Sequence, residues 1–217
     1  MAQSRIVIFA NGHLPNPEAA RALLRPDDIL LGADGGTRHI LDLGLTPALV
    51  VGDMDSVEPD TLKRLEKSGV MINRFPRDKN ETDLDLALEH ARSLNPSAIL
   101  VVAALGERLD HTIGNLALLA SPSLAGLDVR ADDGVEEAFF CRDQAEVRGR
   151  SGEVVSLIPW HGRVEGVTTR GLKWPLRDET LYPDKTRGIS NEMEGQAASV
   201  SVRSGVLLVI HRRLTSV

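Results

Sequence analysis

The chain has one cysteine, Cys141, in 217 residues. No internal disulfide can form, and the sequence suits a reducing compartment. No apolar run reaches the roughly 18 residues that a membrane-spanning helix needs. The opening "MAQSRIVIFANG" passes straight into a strand-like run without a signal-peptide pattern. The expectation is a cytoplasmic protein with no membrane partner. A basic surplus is missing too: the net charge is −6, which argues against nucleic acid as a partner, because phosphate backbones attract basic surfaces. A phosphate ligand neutralised locally by a metal ion stays compatible with that charge. No glycine-rich loop ends in Gly-Lys-Ser or Gly-Lys-Thr, so the chain is not a P-loop enzyme. The six histidines lack HExxH-type spacing and His111 stands nearly alone, which excludes a zinc site of the usual kind.

What is present is the balance of a globular protein, 42% hydrophobic and 26% charged. The length allows one large domain or two small ones. Over residues 1–123 short apolar runs alternate with helical patterns. The runs are "IVIFA" (6–10), "DILLGA" (28–33), "ALVVGD" (48–53), "VMINRF" (70–75) and "AILVVAAL" (98–105). Rich in Val, Ile and Leu and without clear alternation, they read as strands covered on both faces. "SVEPDTLKRLEKSG" reads as a helix with Ser56 as its cap, Pro59 in the first turn and Gly69 as its stop. "TDLDLALEHARSL" places Leu84, Ala87, Leu88 and Ala91 on one stripe behind the cap Thr82. Such alternation predicts an α/β domain with a mostly parallel, Rossmann-like sheet. From residue 124 to 217 the pattern changes to short β-prone pieces separated by Gly, Asp and Pro turns. They predict an all-β sandwich without a helix longer than a turn or two. In "AASVSVRSGVLLVI" the "RSG" suits a hairpin loop.

Acids recur where the predicted strands end: Asp34 in "LLGADGG", Asp53 and Asp55 in "VVGDMDSVEP", Asp78 and Asp83 in "DKNETDLDLAL", Asp110 in "ALGERLDHT". Singly, each has an ordinary reading. Asp55 can serve the turn before Ser56, Asp110 can cap "HTIGNLALLA", and Asp83 can sit in a favourable first helical turn. As a set at one sheet edge they would repel one another, and such a cluster holds a cation or shares protons. Oxygen ligands without His or Cys suit Mg²⁺. Lys79 and Arg108 lie within the acidic motifs, either to grip phosphate oxygens or to pair with neighbouring Asp residues. Gly35-Gly36 would let backbone approach a ligand at a helix start.

"GADGG", "GDMDS", "DKNETDLDLAL" and "GERLDHTIGN", in this order and followed by "GLKWPL" and "GISNE", resemble thiamine pyrophosphokinase across nearly the whole chain. The resemblance implies transfer of the terminal pyrophosphoryl group of ATP to the hydroxyl of thiamine, giving thiamine diphosphate and AMP. It further implies Mg²⁺ and a homodimer with thiamine near the subunit interface. By position it implies Asp53, Asp55 and Asp83 as carboxylates around Mg²⁺, supported at the polyphosphate by Asp34 and Asp78. Arg108, Asp110 and Asn115 would line the nucleotide or phosphate pocket, and Lys79 would assist electrostatically, with Thr82 and Gly35 in the same segments. Asn11-Gly12 resembles the family's opening nucleotide loop. Trp174 would cover a thiamine ring, an aromatic face for a cationic heterocycle, or serve as a core or dimer contact, as Trp160 does. Ser190-Asn191 would hydrogen-bond at the substrate. Asp83, Asp110 or a metal-bound phosphate oxygen would take the alcohol proton. Two positions depart from the family's pattern, Asn80 where many relatives have an acid and Glu107 where many have glycine. "ADDGVEEAFF" matches none of the motifs. The rivals are a pyrophosphokinase acting on a hydroxymethyl pterin, with no use for "GLKWPL" and "GISNE", and a non-catalytic thiamine or nucleotide sensor.

Overall fold

The computed structural model of the protein describes residues 4–106 and 108–214. It falls into two compact units that meet between Gly134 and Val135. The first contains β1 (Ile6–Phe9), α1 (Pro17–Ala22), β2 (Ile29–Ala33), α2 (Gly36–Asp42), β3 (Leu49–Gly52) and α3 (Pro59–Lys67). It continues with β4 (Met71–Arg74), α4 (Asp83–Ser93), β5 (Ala98–Val102), α5 (Leu109–Leu119) and β6 (Asp128–Asp132). Its strands run in the order β4-β3-β2-β1-β5-β6, and every ladder among them is parallel. Because β6 pairs parallel with β5, it belongs to this unit. The boundary therefore falls about a strand later than the change of sequence pattern suggests.

Both sheet faces are covered, as the unbroken apolar runs require. Val7 and Phe9 of β1 cluster with Ala20 of α1 and Ile40 of α2, while Ile6 and Ile8, pointing the other way, are equally buried. The stripe Leu84, Ala87, Leu88 and Ala91 of α4 is buried. Each such Leu or Ile stabilises the fold by roughly 1.5–3 kcal/mol. Two expectations fail. Strand β4 lies at the sheet edge with β3 as its neighbour, so Met71 is 59% exposed and the run at 70–75 is not buried on both faces. The cap of α3 is Glu58, without a side-chain bond. Ser56 instead donates to Asp55 Oδ1 at 3.0 Å.

The second unit holds β7 (Glu136–Cys141), β8 (Gln144–Arg148), β9 (Val154–Arg170), β10 (Glu179–Leu181), β11 (Asn191–Glu192), β12 (Ala197–Ser201) and β13 (Ser204–Arg212). All its ladders are antiparallel. "VVSLIP" and "VEGVTTRG", read as separate pieces, are one 17-residue strand, β9. The hairpin at "RSG" is not there either. Strands β12 and β13 do not pair with each other; they run in succession along β9, Ser199 opposite Arg170, Ser204 opposite Glu165 and Arg212 opposite Val154. Arg203 N–H still donates to Glu165 C=O at 2.9 Å, so the loop residues interrupt a ladder without reversing the chain. One core joins Phe139, Leu157, Val167, Leu181, Val200 and Leu207.

A charged pin closes this unit. His211 of β13 is fully buried, with Nε2 2.8 Å from Glu153 Oε2 and Nδ1 3.5 Å from Glu137 Oε2. Burial alone would lower the His211 pKa, but the Glu137 and Glu153 carboxylates beside the ring raise it above 6.5. Glu153 is also opposed by burial, yet the Arg150 N–H and His211 hold it below 4.5. A raised histidine stabilises below its unfolded pKa and loses that contribution as pH rises through the folded value. The lowered glutamate contributes above its unfolded pKa. Together they predict that His211→Gln costs most between the two reference values, 4.5 and 6.5. In thermal melts the Tm gap between wild type and His211→Gln is larger at about pH 6 than at about pH 9.

Candidate active site

Strands β1, β2, β3 and β5 end at one edge of the parallel sheet, and their exits carry the chemistry. Asp34 follows β2, Asp53 follows β3, and Asp83 opens α4 behind Thr82, whose hydroxyl accepts from Asp85 N–H at 3.2 Å. Asp34 (φ 46°), Met54 (φ 68°) and Ala103 (φ 57°), after β2, β3 and β5, have left-handed backbones. Such conformations cost about 1–3 kcal/mol each and gather where chemistry over-determines the chain. Asp34 is held by its N–H, which donates to Val51 C=O at 2.7 Å.

The result is a group of three carboxylates, Asp34, Asp53 and Asp83, whose ligand oxygens all lie within 4.8 Å of one another. At an effective dielectric near 20, each such pair repels by about 3 kcal/mol before solvent screening. Lys79 is the cation that answers them, its Nζ 2.9 Å from Asp83 Oδ1, although that oxygen lacks a hydrogen bond of good geometry, as does Asp34 Oδ1. Burial raises the Asp83 pKa, Lys79 opposes the rise, and the charges of Asp34 and Asp53 add to it. One ammonium against three carboxylates leaves a deficit of positive charge. An oxygen-only donor set with a buried, unpartnered carboxylate oxygen fits a hard divalent cation. Gly52 makes the approach possible: its φ is 149°, and a Cβ there would stand 2.9 Å from Asp34 Cβ and 3.1 Å from Asp83 Cγ.

Asp53 and Asp83 border a cleft of about 570 Å³, within the size range of small-molecule sites; Asp34 is buried behind them. Asn11, Gly12, Asp53, Lys79, Thr82, Asp83, Arg108 and Asn115 line it, so residues spread over half the chain converge. Asn115 is fixed by donating from Nδ2 to Ala104 C=O at 2.8 Å. Other expected residues stand elsewhere. Asp55 lies outside the carboxylate group. Its N–H donates to Asp53 Oδ1 at 3.0 Å, and its carboxylate accepts from Ser56 and faces Arg77 at 3.7 Å. Turn geometry thus aims it away, and Asp34, expected only as a support, takes the third place. Asp78 is exposed and not among the cleft residues. Asp110 pairs with Arg108 at 2.6 Å, both about two-thirds exposed. The Arg108 fork holds its pKa down; Asp110 does not cap α5, whose N-cap is Arg108. Gly35 gives its missing Cβ space to the Asn11 side chain rather than to a ligand.

In the second unit Trp174 is 46% exposed, with Lys173 Nζ 4.8 Å over its ring. Asn191 is buried and its amide is occupied: Oδ1 accepts from Trp174 N–H at 3.0 Å, and Nδ2 donates to Trp174 C=O at 2.7 Å. It clamps the Trp174 loop. Ser190, exposed at φ 57°, donates its N–H to Ser156 Oγ at 3.0 Å. Trp160 meets Phe140 edge to face at 5.3 Å.

Residues 20–131 match the family of the thiamin pyrophosphokinase catalytic domain, and residues 143–207 match its vitamin B1 binding domain. The chain belongs to the thiamin pyrophosphokinase family. It is 30% identical over 182 residues to thiamine pyrophosphokinase of Bacillus subtilis, covering 83% of this chain and 85% of that one. It is 29% identical over 209 residues to thiamine pyrophosphokinase 2 of Arabidopsis thaliana, covering 85% and 78%. The crystal structure of the Bacillus subtilis protein superposes with a TM-score of 0.87 at 26% identity, over 98% of this chain and all of that one. A thiamin pyrophosphokinase family protein from Enterococcus faecalis gives 0.82 at 28%, over 98% and 100%.

Of the two departures from the thiamin pyrophosphokinase pattern, Asn80 is exposed and does not line the cleft; Glu107 lies outside the described residues. Sequence reasoning missed Arg77 and His111, which also line the cleft. Arg77 sits one residue before the quoted acidic motif, and the spacing of His111 speaks only to its failure as a zinc ligand. Gly52→Ala is expected to splay the carboxylates. Calorimetric titration with Mg²⁺ should show affinity reduced by about tenfold or more, with circular dichroism unchanged.

Proposed function

We propose that the chain transfers the terminal pyrophosphoryl group of ATP to the hydroxyl of thiamine, releasing AMP, as a Mg²⁺-dependent cytoplasmic homodimer. The observation that carries this is the convergence of Asp34, Asp53 and Asp83 beside a cleft that Asp53 and Asp83 line, in a chain of this family. The first unit acts as a Rossmann-like nucleotide domain, supported by its parallel sheet and the cleft at the strands' carboxyl ends. The second acts as a β-sandwich that binds thiamine.

Asp34, Asp53 and Asp83 hold Mg²⁺, and Asp55, exposed on the same turn, remains available to the metal's waters. Bound there, Mg²⁺ neutralises charge that builds on the phosphate oxygens during attack. Lys79, half-buried against Asp83, and Arg77 and Arg108 at the cleft wall fix the polyphosphate by point charge and fork. Asn11, Gly12 and Asn115 orient the nucleotide, so that positioning supplies much of the rate. With Asp83 engaged by Lys79 and by the cation, a phosphate oxygen of the substrate takes the alcohol proton. Asp110, locked to Arg108 on the surface, is not suited to that role. Trp174 offers the ring face away from Lys173 to the cationic thiazolium, and Asn191 keeps that loop in place.

The direct test is AMP release from ATP with thiamine or a hydroxymethyl pterin as acceptor. Release with thiamine supports the proposal; release with the pterin alone, or tight thiamine binding without AMP, overturns it. Asp83→Asn should lower kcat by about a hundredfold or more with the fold intact. Trp174→Ala should raise the KM for thiamine by about three- to thirtyfold, the scale of a cation–π contact, while the KM for ATP holds.

A further inference from the structure

The cleft wall formed by Asn11 and Gly12, after β1, is braced by α2, an element that none of the sequence motifs singled out beyond its glycines. Arg38 Nη2 donates to Asn11 Oδ1 at 3.1 Å, and Arg38 Nε reaches Gly35 C=O at 3.4 Å. Next to it, His39 Nε2 lies 2.8 Å from Gly12 C=O. A carbonyl only accepts, so that ring nitrogen carries a proton. Gly12 N–H in turn donates to the C=O of Ala103 at 3.0 Å, the left-handed residue after β5. The loop is thus held from three directions, with the Asn11 amide lying against Gly35, where a Cβ would overlap it.

We infer that Arg38 is a positioning residue that decides which end of the Asn11 amide faces the nucleotide. The guanidinium has donors only and must take the amide oxygen. Nδ2 is therefore the atom turned to the ligand, where it reads an acceptor: an unprotonated ring nitrogen, or a ribose or phosphate oxygen. Without Arg38 neither end of the amide is held, and ordering it is left to the ligand at the expense of affinity. His39 acts alongside it by keeping the Asn11-Gly12 backbone in register with Ala103. This inference rests on the cleft being the ATP site proposed above.

A double-mutant cycle separates this role from the general charge of an arginine near an anion. ATP binding is measured calorimetrically, without thiamine, for wild type, Arg38→Met, Asn11→Leu and the double variant, with Arg38→Lys and Asn11→Asp as companions. Arg38→Met should weaken ATP by about three- to tenfold, the scale of one hydrogen bond, yet have no further effect once Asn11 is Leu. Arg38→Lys, which keeps a donor, should restore part of the loss. Asn11→Asp keeps the Arg38 bridge but presents no donor, and should bind ATP at least as weakly as Asn11→Leu. In turnover, Arg38→Met should raise the KM for ATP and spare kcat. Equal losses from Arg38→Met in both Asn11 backgrounds, or none in either, would overturn the inference. Should the wild type fail to make thiamine diphosphate while the coupling persists, the proposed reaction falls and the positioning role stands.

Discussion

Three carboxylates forced within 4.8 Å of one another set the terms for the rest of the first unit. Their repulsion would push the exits of β2 and β3 away from the start of α4, and one lysine cannot cancel it. The cluster persists because the surrounding structure over-determines it. Asp34 is pinned through its backbone to β3, Gly52 leaves room where a Cβ would not fit, and the buried stripe of α4 anchors Asp83 from below. The unspent negative charge would be answered by the divalent cation proposed above, shared by the three acids.

The second unit solves a different problem. Its fold rests on β9, seventeen residues long, to which β12 and β13 attach in succession. A ladder interrupted at Val202 and Arg203 lets the same strand serve two sets of partners around one core. The loop bearing Trp174 is stiffened by a buried asparagine that satisfies both the N–H and C=O of that residue. An exposed aromatic ring on a fixed backbone keeps little conformational freedom to lose when a ligand stacks on it.

The parallel sheet, the stripe of α4 and the Thr82 cap were legible in the sequence, because apolar spacing and capping chemistry are local. So was the convergence of the strand exits that carry Asp34 and Asp53, since parallel strands bring their exits together. Which acids come together was not legible. Asp53 and Asp55 look equivalent as letters, but a left-handed Met54 between them aims one at Asp34 and the other at solvent. The exposure of β4 depends on its place in the strand order, and the missing hairpin depends on both strands finding β9; neither is written in the flanking residues. Asn191 reads as a ligand contact until its amide is found occupied by Trp174. Arg38 and His39 carry no motif signal because they act on a loop far away in sequence.

The central claim is most directly tested by soaking or co-crystallising the protein with Mn²⁺ and a non-hydrolysable ATP analogue and mapping the metal by its anomalous signal. The account predicts a peak shared by the carboxylates of Asp34, Asp53 and Asp83, in contact with the polyphosphate. A nucleotide bound with its metal on other side chains, and these three acids left facing one another, would contradict it.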